Sequence, residues 1–469
     1  MNSIIARAKD TYQVLPPSVR NAAASGFSYY LRWWRYGGGS DARVAQALHR
    51  DRWTAHQWHR YREEAVATML TRAATRVPFY RDHWRARRDA GDMAPWDDLR
   101  NWPVLKKEDL RSAPSTFLAE DVRPSRLFRI STSGTSGSPI TTWRSLETMR
   151  AWYALFEART RRWYGVDRHM NWAILGGQLV TPAAQREPPF WVWSSGLRQL
   201  YMSTLHLAPA NAGAYLDAMR RYGVRHLFGY ASSMYWLAHM ASEQGFAAPR
   251  LIVAVSNAEP LHDHQRRLIG EVFDCPVRDT YGMSEIVAAA SECECGVLHV
   301  WPDAGIIEVL DDTSDEAAAE GVPGRLVCTG LLNPDMPLIR YEVGDRGVLG
   351  SDGEQRCDCG RTLPSIERIE GRSSDNLVTV DGRRVFWINP VFYELPVREA
   401  QVIQESLGTI RVKAVVAAGF DQRTEEAIEQ RLKQRLGAVE VITERVETIP
   451  RGPNGKFRPV INRIDEVSK

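Results

Sequence analysis

The sequence predicts an α/β protein. A large amino-terminal domain has helix-flanked sheets and a β subdomain, and a small α+β domain follows it. Three observations carry this reading. Between about 125 and 345, short apolar runs alternate with longer helical patterns, which predicts a largely parallel sheet covered by helices. From about 297 to 350 the texture turns to β-rich segments. The last hundred or so residues read as hairpin, strand, helix and strand. The length agrees, because 469 residues exceed what one core ordinarily serves.

Residues 1–90 read as helical. The span 41–71 has apolar residues at three- and four-residue spacing, and Gly37-Gly38-Gly39 interrupts the pattern before it. The stretch 19–36 mixes aromatic and basic residues, as in Tyr30-Leu-Arg-Trp-Trp-Arg-Tyr36. That mixture fits either a helix packed on the main body or one lying on a membrane surface.

In the large domain, 91–371, strands are expected at Trp172-Ala-Ile-Leu175, His226-Leu-Phe228, Leu251-Ile-Val-Ala-Val255 and Pro276-Val-Arg-Asp279. Helices are expected over 211–222 and 233–243. Gly305-Ile-Ile-Glu-Val-Leu310 and Gly324-Arg-Leu-Val-Cys-Thr329 mark the β subdomain. Glu370-Gly-Arg-Ser-Ser-Asp375 reads as a linker to the small domain, 372–469. There a hairpin is expected around Asp381-Gly382, then a strand over 410–417, a helix over 424–436 and a strand over 439–446.

Bulk composition narrows the function classes. Hydrophobic residues are 44% and charged residues 25%, as in an ordinary soluble protein. The net charge of +3 predicts no nucleic-acid partner. No run approaches the ~18 apolar residues of a membrane span, and no signal-peptide core opens the chain. Six cysteines are too few for a disulfide scaffold in a chain of this length. The cytoplasm is the expected compartment, with peripheral membrane contact through 19–36 left open and either a monomer or a homodimer allowed.

Ligands of parallel sheets sit at the carboxyl ends of the strands, which directs attention to the loops there. Trp172, Gly176, Gly177, Gly229, Tyr230 and Ser232 are the candidate substrate residues. Arg129-Ile-Ser131-Thr132-Ser133-Gly134-Thr135-Ser136-Gly137-Ser-Pro139-Ile140 combines hydroxyls and glycines. It suits either a solvated turn or a polyphosphate cradle. Asp279-Thr280-Tyr281-Gly282-Met283-Ser284-Glu285 presents an aromatic face, hydroxyls and a carboxylate. Tyr341-Glu-Val-Gly-Asp345 offers an Asp just past an expected turn. Arg451-Gly-Pro-Asn-Gly-Lys456 carries a Lys on a Gly/Pro loop.

Cys293-Glu-Cys295-Gly296 and Cys357-Asp-Cys359-Gly360 are matched knuckles that suit a structural tetrahedral Zn²⁺ site, with His299 able to replace a thiolate. Which of Cys295 and His299 is the ligand stays open. Cys275 and Cys328 lie in apolar strands and read as core.

These motifs, in this order, resemble the adenylate-forming superfamily of acyl-CoA synthetases, luciferases and adenylation domains. The finer resemblance is to its phenylacetate–CoA ligase branch. Pro16-Pro17, Arg35-Tyr36-Gly37-Gly38 and Val77-Pro78-Phe79-Tyr80 resemble its capsule-biosynthesis (CapK-type) members. The resemblance implies a ligase using ATP and Mg²⁺ that joins a small-molecule carboxylate to AMP and releases pyrophosphate. The acyl group then passes to an acceptor, either CoA or an amine.

The resemblance also assigns roles. The loop from Ser131 through Gly137 would grip the phosphates. Asn257, Ala258, Glu259 and Pro260 would line the adenine, with Tyr281 stacked on it, and Glu285 would hold Mg²⁺. Asp345 would accept the ribose hydroxyls, and Arg372 at the hinge would join the nucleotide residues. Lys456 would bring its charge to the reacting phosphate and carboxylate. Two departures stand out: Ile140, not Lys, follows Pro139, and Ser373-Ser374 precede Asp375 at the hinge.

Overall fold

The computed structural model describes residues 12, 14–131, 140–178, 180–182, 184–353, 356–372, 377–380, 384, 385, 388, 391, 392, 395–452 and 457–464. They form two compact units. One comprises 1–308, 327–343 and 349–367; the other comprises 309–326, 344–348 and 368–469.

The first unit opens with helices, as the sequence predicts. Pro17 starts α1 (Pro17–Tyr36), where its missing N–H leaves no bond unmade. Gly39, at φ +74°, turns the chain into α2 (Ser40–Arg50). The helical pattern expected over 41–71 is broken at Asp51. Thr54 then starts α3 (Ala55–Arg76) with a capping box to Gln57. Helix α4 (Pro78–Asp89) again begins on proline. The short α5 (Lys107–Ser112) leads to an antiparallel hairpin, β1 (Phe128–Ser131) and β2 (Thr141–Arg144), and to α6 (Leu146–Thr160).

The break at Asp51 has a physical use. Asp51 is buried and accepts hydrogen bonds from Arg159 Nε at 2.9 Å and Trp163 Nε1 at 2.7 Å. Arg159, fully buried on α6, also pairs with Asp303, which Arg50 Nη2 reaches at 2.8 Å. Burial alone would raise the Asp303 pKa, but Arg159 and Arg50 hold its carboxyl below the usual range.

Six strands form the central sheet: β3 (Trp172–Gly176), β4 (Trp191–Ser194), β5 (Gln199–Ser203), β6 (His226–Gly229), β7 (Val253–Ser256) and β8 (Val277–Arg278). Their order is β4-β5-β3-β6-β7-β8, parallel throughout except for β4. Helices α7 (Ala212–Arg221), α8 (Ala231–Glu243) and α9 (Asp263–Phe273) belong to the same core. There Leu175, Leu200, Met202, Tyr215, Leu227, Leu237 and Phe273 are buried together. Strands β4 and β5 are too short and too mixed in polarity to stand out in the sequence.

The β-rich region is larger than the expected 297–350. It is a seven-stranded sheet of β9 (Thr280–Gly282), β10 (Ala289–Glu292), β11 (Leu298–Val300), β12 (Gly305–Leu310), β13 (Gly324–Gly330), β14 (Tyr341–Leu349) and β15 (Ser365–Arg372). The order is β12-β13-β14-β15-β11-β10-β9. The expected linker therefore begins inside a strand, since Glu370, Gly371 and Arg372 close β15. Asp345 lies within β14 rather than just past a turn.

In the second unit, β16 (Leu377–Val378) pairs with β17 (Arg384–Val385). Next come β18 (Val397–Ser406), β19 (Thr409–Val416), α10 (Gln422–Leu436), β20 (Glu440–Arg445) and β21 (Val460–Asn462). The sheet order is β20-β19-β18-β21. Helix α10 buries Ile428, Leu432 and Leu436 at four-residue spacing in one core with Val402, Ile410 and Val412. The buried Gln404 side chain bonds both the N–H and the C=O of Val378, at 2.7 Å each, tying the hairpin to the sheet.

Replacing Asp303 leaves Arg159 and Arg50 without their shared carboxylate. Asp303→Ala is expected to lower the unfolding free energy by about 3–5 kcal/mol, measured by urea titration. A change within about 0.5 kcal/mol, as at an ordinary surface site, would show that the pair is dispensable.

Candidate active site

The parallel register brings four loops level. Leu175 pairs with Gly229, Gly229 with Ser256, and Val255 with Arg278. Each loop is tied to the neighbouring strand as it leaves. Tyr230 N donates to Leu175 O at 3.3 Å, Asn257 N to Gly229 O at 3.0 Å, and Thr280 Oγ1 to Ser256 O at 2.6 Å. Two glycines sit in close contact here, Gly176 against the tip of a side chain and Gly229 against backbone, where no shift is cheap. A Cβ on Gly176 would lie 2.4 Å from the Tyr201 hydroxyl, and one on Gly229 would lie 2.7 Å from Leu175 O.

Loops join one another across this line. The Glu259 carboxylate accepts from Ser232 N at 3.1 Å, placing an acid at the amino end of α8. Two non-glycine residues here have left-handed backbone, Ala258 at φ 61° and Ile286 at φ 52°. For a β-branched residue this conformation is a strong outlier, and such strain gathers where surrounding structure fixes a functional geometry. The buried Ser232 Oγ and Asn257 Oδ1 have no hydrogen-bond partner among the described residues. Unsatisfied buried polar atoms at these strand ends fit a ligand that would complete them.

A charged group lies beside these loops. Glu285 is buried, and its Oε1 accepts from the Tyr341 hydroxyl at 3.1 Å. Arg144, buried at the end of β2, donates through Nη2 to the Ser284 carbonyl. Burial pushes the Arg144 pKa down to about 10, and the nearby Glu285 charge opposes that shift. Its buried Nε has no partner among the described residues. Sequence reasoning passed over Arg144. The available signal was an arginine ending a short Thr-rich strand, four residues after Ile140 stands in for the usual Lys.

Asp279 begins the same motif. Its N–H donates to Glu292 Oε2 at 2.8 Å, and Arg266 binds both Glu292 oxygens at 2.9 Å. Loss of water around the Asp279 carboxyl, with some help from Glu292, pushes its pKa up to about 7.

Comparisons with known proteins bear on the fold that carries these residues. Residues 377–463 match the family model described as the CapK C-terminal domain. Protein CapK of Staphylococcus aureus is 25% identical over 393 residues, covering 82% of this chain and 85% of that protein. A phenylacetate–coenzyme A ligase of Thermus thermophilus is 24% identical over 442 residues, covering 85% of this chain and 95% of that protein. The chain is a homologue of CapK and of the phenylacetate–coenzyme A ligases. Its fold is that of the adenylate-forming ligases. The crystal structure of a 2-hydroxyisobutyryl-CoA ligase in the postadenylation state superposes with a TM-score of 0.66 at 20% identity, covering 89% of this chain and 92% of that one.

On this homologue the remaining expected residues fall as follows. Ser131 ends β1 opposite Thr141, their hydroxyls 3.4 Å apart. Tyr281 and Gly282 lie on β9, with Met283 and Ser284 following toward Glu285. Pro260 is exposed next to Glu259, and Gly177 is half-buried beside Gly176. Asp345 is half-buried in β14, and Arg372 is the last residue of β15. Thr132, Ser133, Gly134, Thr135, Ser136, Gly137 and Lys456 lie outside the described residues. The ends of the Lys456 loop are described: Arg451 pairs with Glu399, and its guanidinium lies 4.8 Å over the Phe457 ring.

One substrate expectation is corrected. Trp172 starts β3, four residues before Gly176. At about 3.3 Å per residue it lies ~13 Å from the carboxyl end. It stacks instead on His226 at 5.9 Å, at the amino end of β6.

The two cysteine knuckles meet. Each turns on a glycine at positive φ, Gly296 at 83° and Gly360 at 85°. Donor atoms of Cys293, His299, Cys357 and Cys359 all lie within 4.8 Å of one another. Cys295 is exposed and outside this group, which corrects its place among the ligands. His299 Nδ1 is 3.2 Å from Leu363 O, which leaves Nε2 facing Cys359 Sγ at 3.4 Å. Burial and the two facing thiols push the Cys293 thiol up to about 12. Three sulfurs and an imidazole this close fit a cation that would stabilise the thiolates.

The raised Asp279 pKa has a sign that can be checked. The folded state holds this proton more tightly than the unfolded chain. The stability it contributes is therefore full below about pH 4 and lost as pH rises through about 7. Asp279→Asn is expected to match the wild-type Tm near pH 4 and to exceed it above about pH 8. A Tm difference independent of pH would contradict the assignment.

Proposed function

We propose that this chain is an ATP-dependent acid ligase that forms an acyl-adenylate and passes the acyl group to coenzyme A. The carrying observation is the buried Arg144–Glu285–Tyr341 group beside level strand-end loops, where Ser232 Oγ and Asn257 Oδ1 have no hydrogen-bond partner among the described residues. Homology to phenylacetate–coenzyme A ligases supports the same reading. In the first half-reaction a carboxylate oxygen attacks the α-phosphorus of ATP. The bond to the bridging oxygen breaks, and pyrophosphate leaves. In the second, a thiolate sulfur attacks the acyl carbon and AMP leaves; the thiol proton goes to solvent.

The residues act by charge and orientation. Arg144 supplies positive charge where Ile140 provides none, steadying the pyrophosphate as its charge grows. Glu285 would hold Mg²⁺, which neutralises phosphate charge when bound, and the Tyr341 hydroxyl fixes the carboxylate for that task. Tyr281 presents its ring to the adenine, and Asn257 offers the oxygen that has no partner among the described residues. The loop through Gly137, Asp345, Arg372 and Lys456 keeps the roles that the resemblance implies.

The cysteine cluster is proposed to hold Zn²⁺ through Cys293, His299, Cys357 and Cys359. Four protein ligands leave no open position, so the ion would be structural. It would pin the turn after β10, the strand on which β9 and Tyr281 pair.

Pyrophosphate exchange into ATP, with phenylacetate first in a panel of small acids, tests the ligase reading. Arg144→Met and Glu285→Gln are each expected to slow exchange by roughly 10²–10³-fold. No exchange with any acid, together with no ATP binding by calorimetry, would overturn it. Trapped acyl-AMP offered coenzyme A or a set of amines, with the product weighed, identifies the acceptor; an amide product would replace the coenzyme A assignment.

For the metal, mass spectrometry of the digested protein should find about one zinc per chain. Cys357→Ser should lose the zinc and lower Tm, whereas Cys295→Ser should do neither. Loss of zinc from Cys295→Ser would reverse the ligand choice.

A further inference from the structure

Helix α1 is fixed to the body by one face, and a cationic recess opens at the carboxyl end of that face. Ser25 Oγ donates to Trp193 O at 3.1 Å, and Ser28 Oγ accepts from Gly196 N at 2.9 Å. Arg32 and Arg35 stand two helical turns after Ser25 and Ser28, on the same side. The helix is not long and apolar enough to cross a membrane, nor is any other described helix.

The recess gathers the guanidinium groups of Arg32, Arg35, Arg161, Arg168 and Arg198. Glu157 pairs with Arg161, and Asp41 pairs with Arg168. Among the described residues no carboxylate comes within ion-pair distance of Arg32, Arg35 or Arg198. The Arg168 side chain is 10% exposed, yet its buried Nη1 has no hydrogen-bond partner among the described residues. The same holds for the buried Nε of Arg35. Donors left open in a buried setting fit an acceptor that enters from outside.

Packing accounts for part of this cluster. A helix carboxyl end favours cations, which accounts for Arg32 and Arg35. Rings hold Arg161 at 4.8 Å over Trp172 and Arg168 at 5.2 Å over Tyr36. Neither reason covers Arg198. It comes from the turn before β5, and its backbone is left-handed at φ 51°, where glycine or asparagine would be less strained. The turn is fixed in place, since Trp172 N donates to Arg198 O and Trp172 Nε1 to Leu197 O, each at 3.0 Å. The strained turn brings a third unneutralised guanidinium to the recess.

Size and charge narrow the ligand. The enclosed space is about 20 Å³, room for one oxygen-sized atom, so neither a nucleotide nor an acyl chain enters. A phosphate can place one oxygen there and keep others for the exposed Arg32 and Arg198 at the mouth. A carboxylate has two oxygens in one plane and a single charge, which serves one guanidinium fork but not three. Trp172 starts β3 and Arg198 immediately precedes β5, so the recess lies at the amino ends of these strands, away from the candidate active-site loops.

We propose that this recess is a second anion site, which binds a phosphate group through Arg32, Arg35 and Arg198. The inference does not rest on the ligase reading. The phosphate is either free or the end of a phosphorylated small molecule whose remainder stays in solvent. The test is calorimetric titration of the full chain, at constant ionic strength, with inorganic phosphate and with glycerol 3-phosphate.

Saturable binding is expected at about one site per chain, with a matching rise in Tm. Arg32→Gln/Arg198→Asn should weaken it roughly thirtyfold. Asparagine suits the left-handed turn, so the phosphate-free Tm should not fall. Arg32→Gln alone should weaken binding about fivefold, which decides the test should the pair unfold. Arg144→Met, at the candidate active site, should leave this binding in place. Affinity for the ester equal to or below that for phosphate makes free phosphate the ligand; a tighter ester makes it a phosphorylated molecule. Three results would overturn the proposal: no saturable binding of either probe, binding unchanged by the recess variants, or binding lost in Arg144→Met and kept in the recess variants.

Discussion

The buried guanidinium of Arg159 is the constraint on which the first unit's assembly rests. It bonds Asp51, between two amino-terminal helices, and Asp303, just before β12. Arg50 and Trp163 complete the group. Each charge is tolerated in the interior only because the others are in place. An apolar cluster of similar volume could hold the same segments with similar strength. It would not demand one fixed arrangement of α2, α6 and the approach to β12, as directional bonds do.

That fixed arrangement extends to the candidate site loops. Helix α6 follows β2 directly, and β2 ends on Arg144, which bonds the Ser284 carbonyl next to Glu285. The approach to β12 follows β11, whose partner β10 pairs with β9 and Tyr281. The central sheet supplies the level loop ends, and this second route brings the charged group alongside them. The cysteine–histidine cluster sits on that route too, at the turn joining β10 and β11.

Much of this was legible in the sequence because the signals were local. Apolar runs marked β3, β6 and β7, and proline or capping residues marked helix starts. Glycine-flanked cysteine pairs announced their meeting. What was not legible depended on partners far along the chain. Arg144 gains meaning only from Ser284 and Glu285, about 140 residues away. The helical pattern over 41–71 gave no sign that Asp51 would break it to reach Arg159. Trp172 sat in a correctly expected strand but at its amino end, because periodicity locates a strand without saying which end faces the ligand. Grouping His299 rather than Cys295 with Cys293 required the fold, since Cys295 is two residues from Cys293 in sequence and His299 is six.

Ala258 sets local rigidity against stability at this site. Its backbone is left-handed at φ 61°, and its side chain is exposed, so the methyl packs against little. An L-residue there costs ~1–2 kcal/mol relative to its relaxed conformation, and glycine would escape most of that strain. Glycine would also let the loop between Asn257 and Glu259 wander. A lineage selected for heat resistance alone would drift toward glycine at this position. A lineage that must present Asn257 to a ligand in one pose would keep the methyl and tolerate a less stable fold.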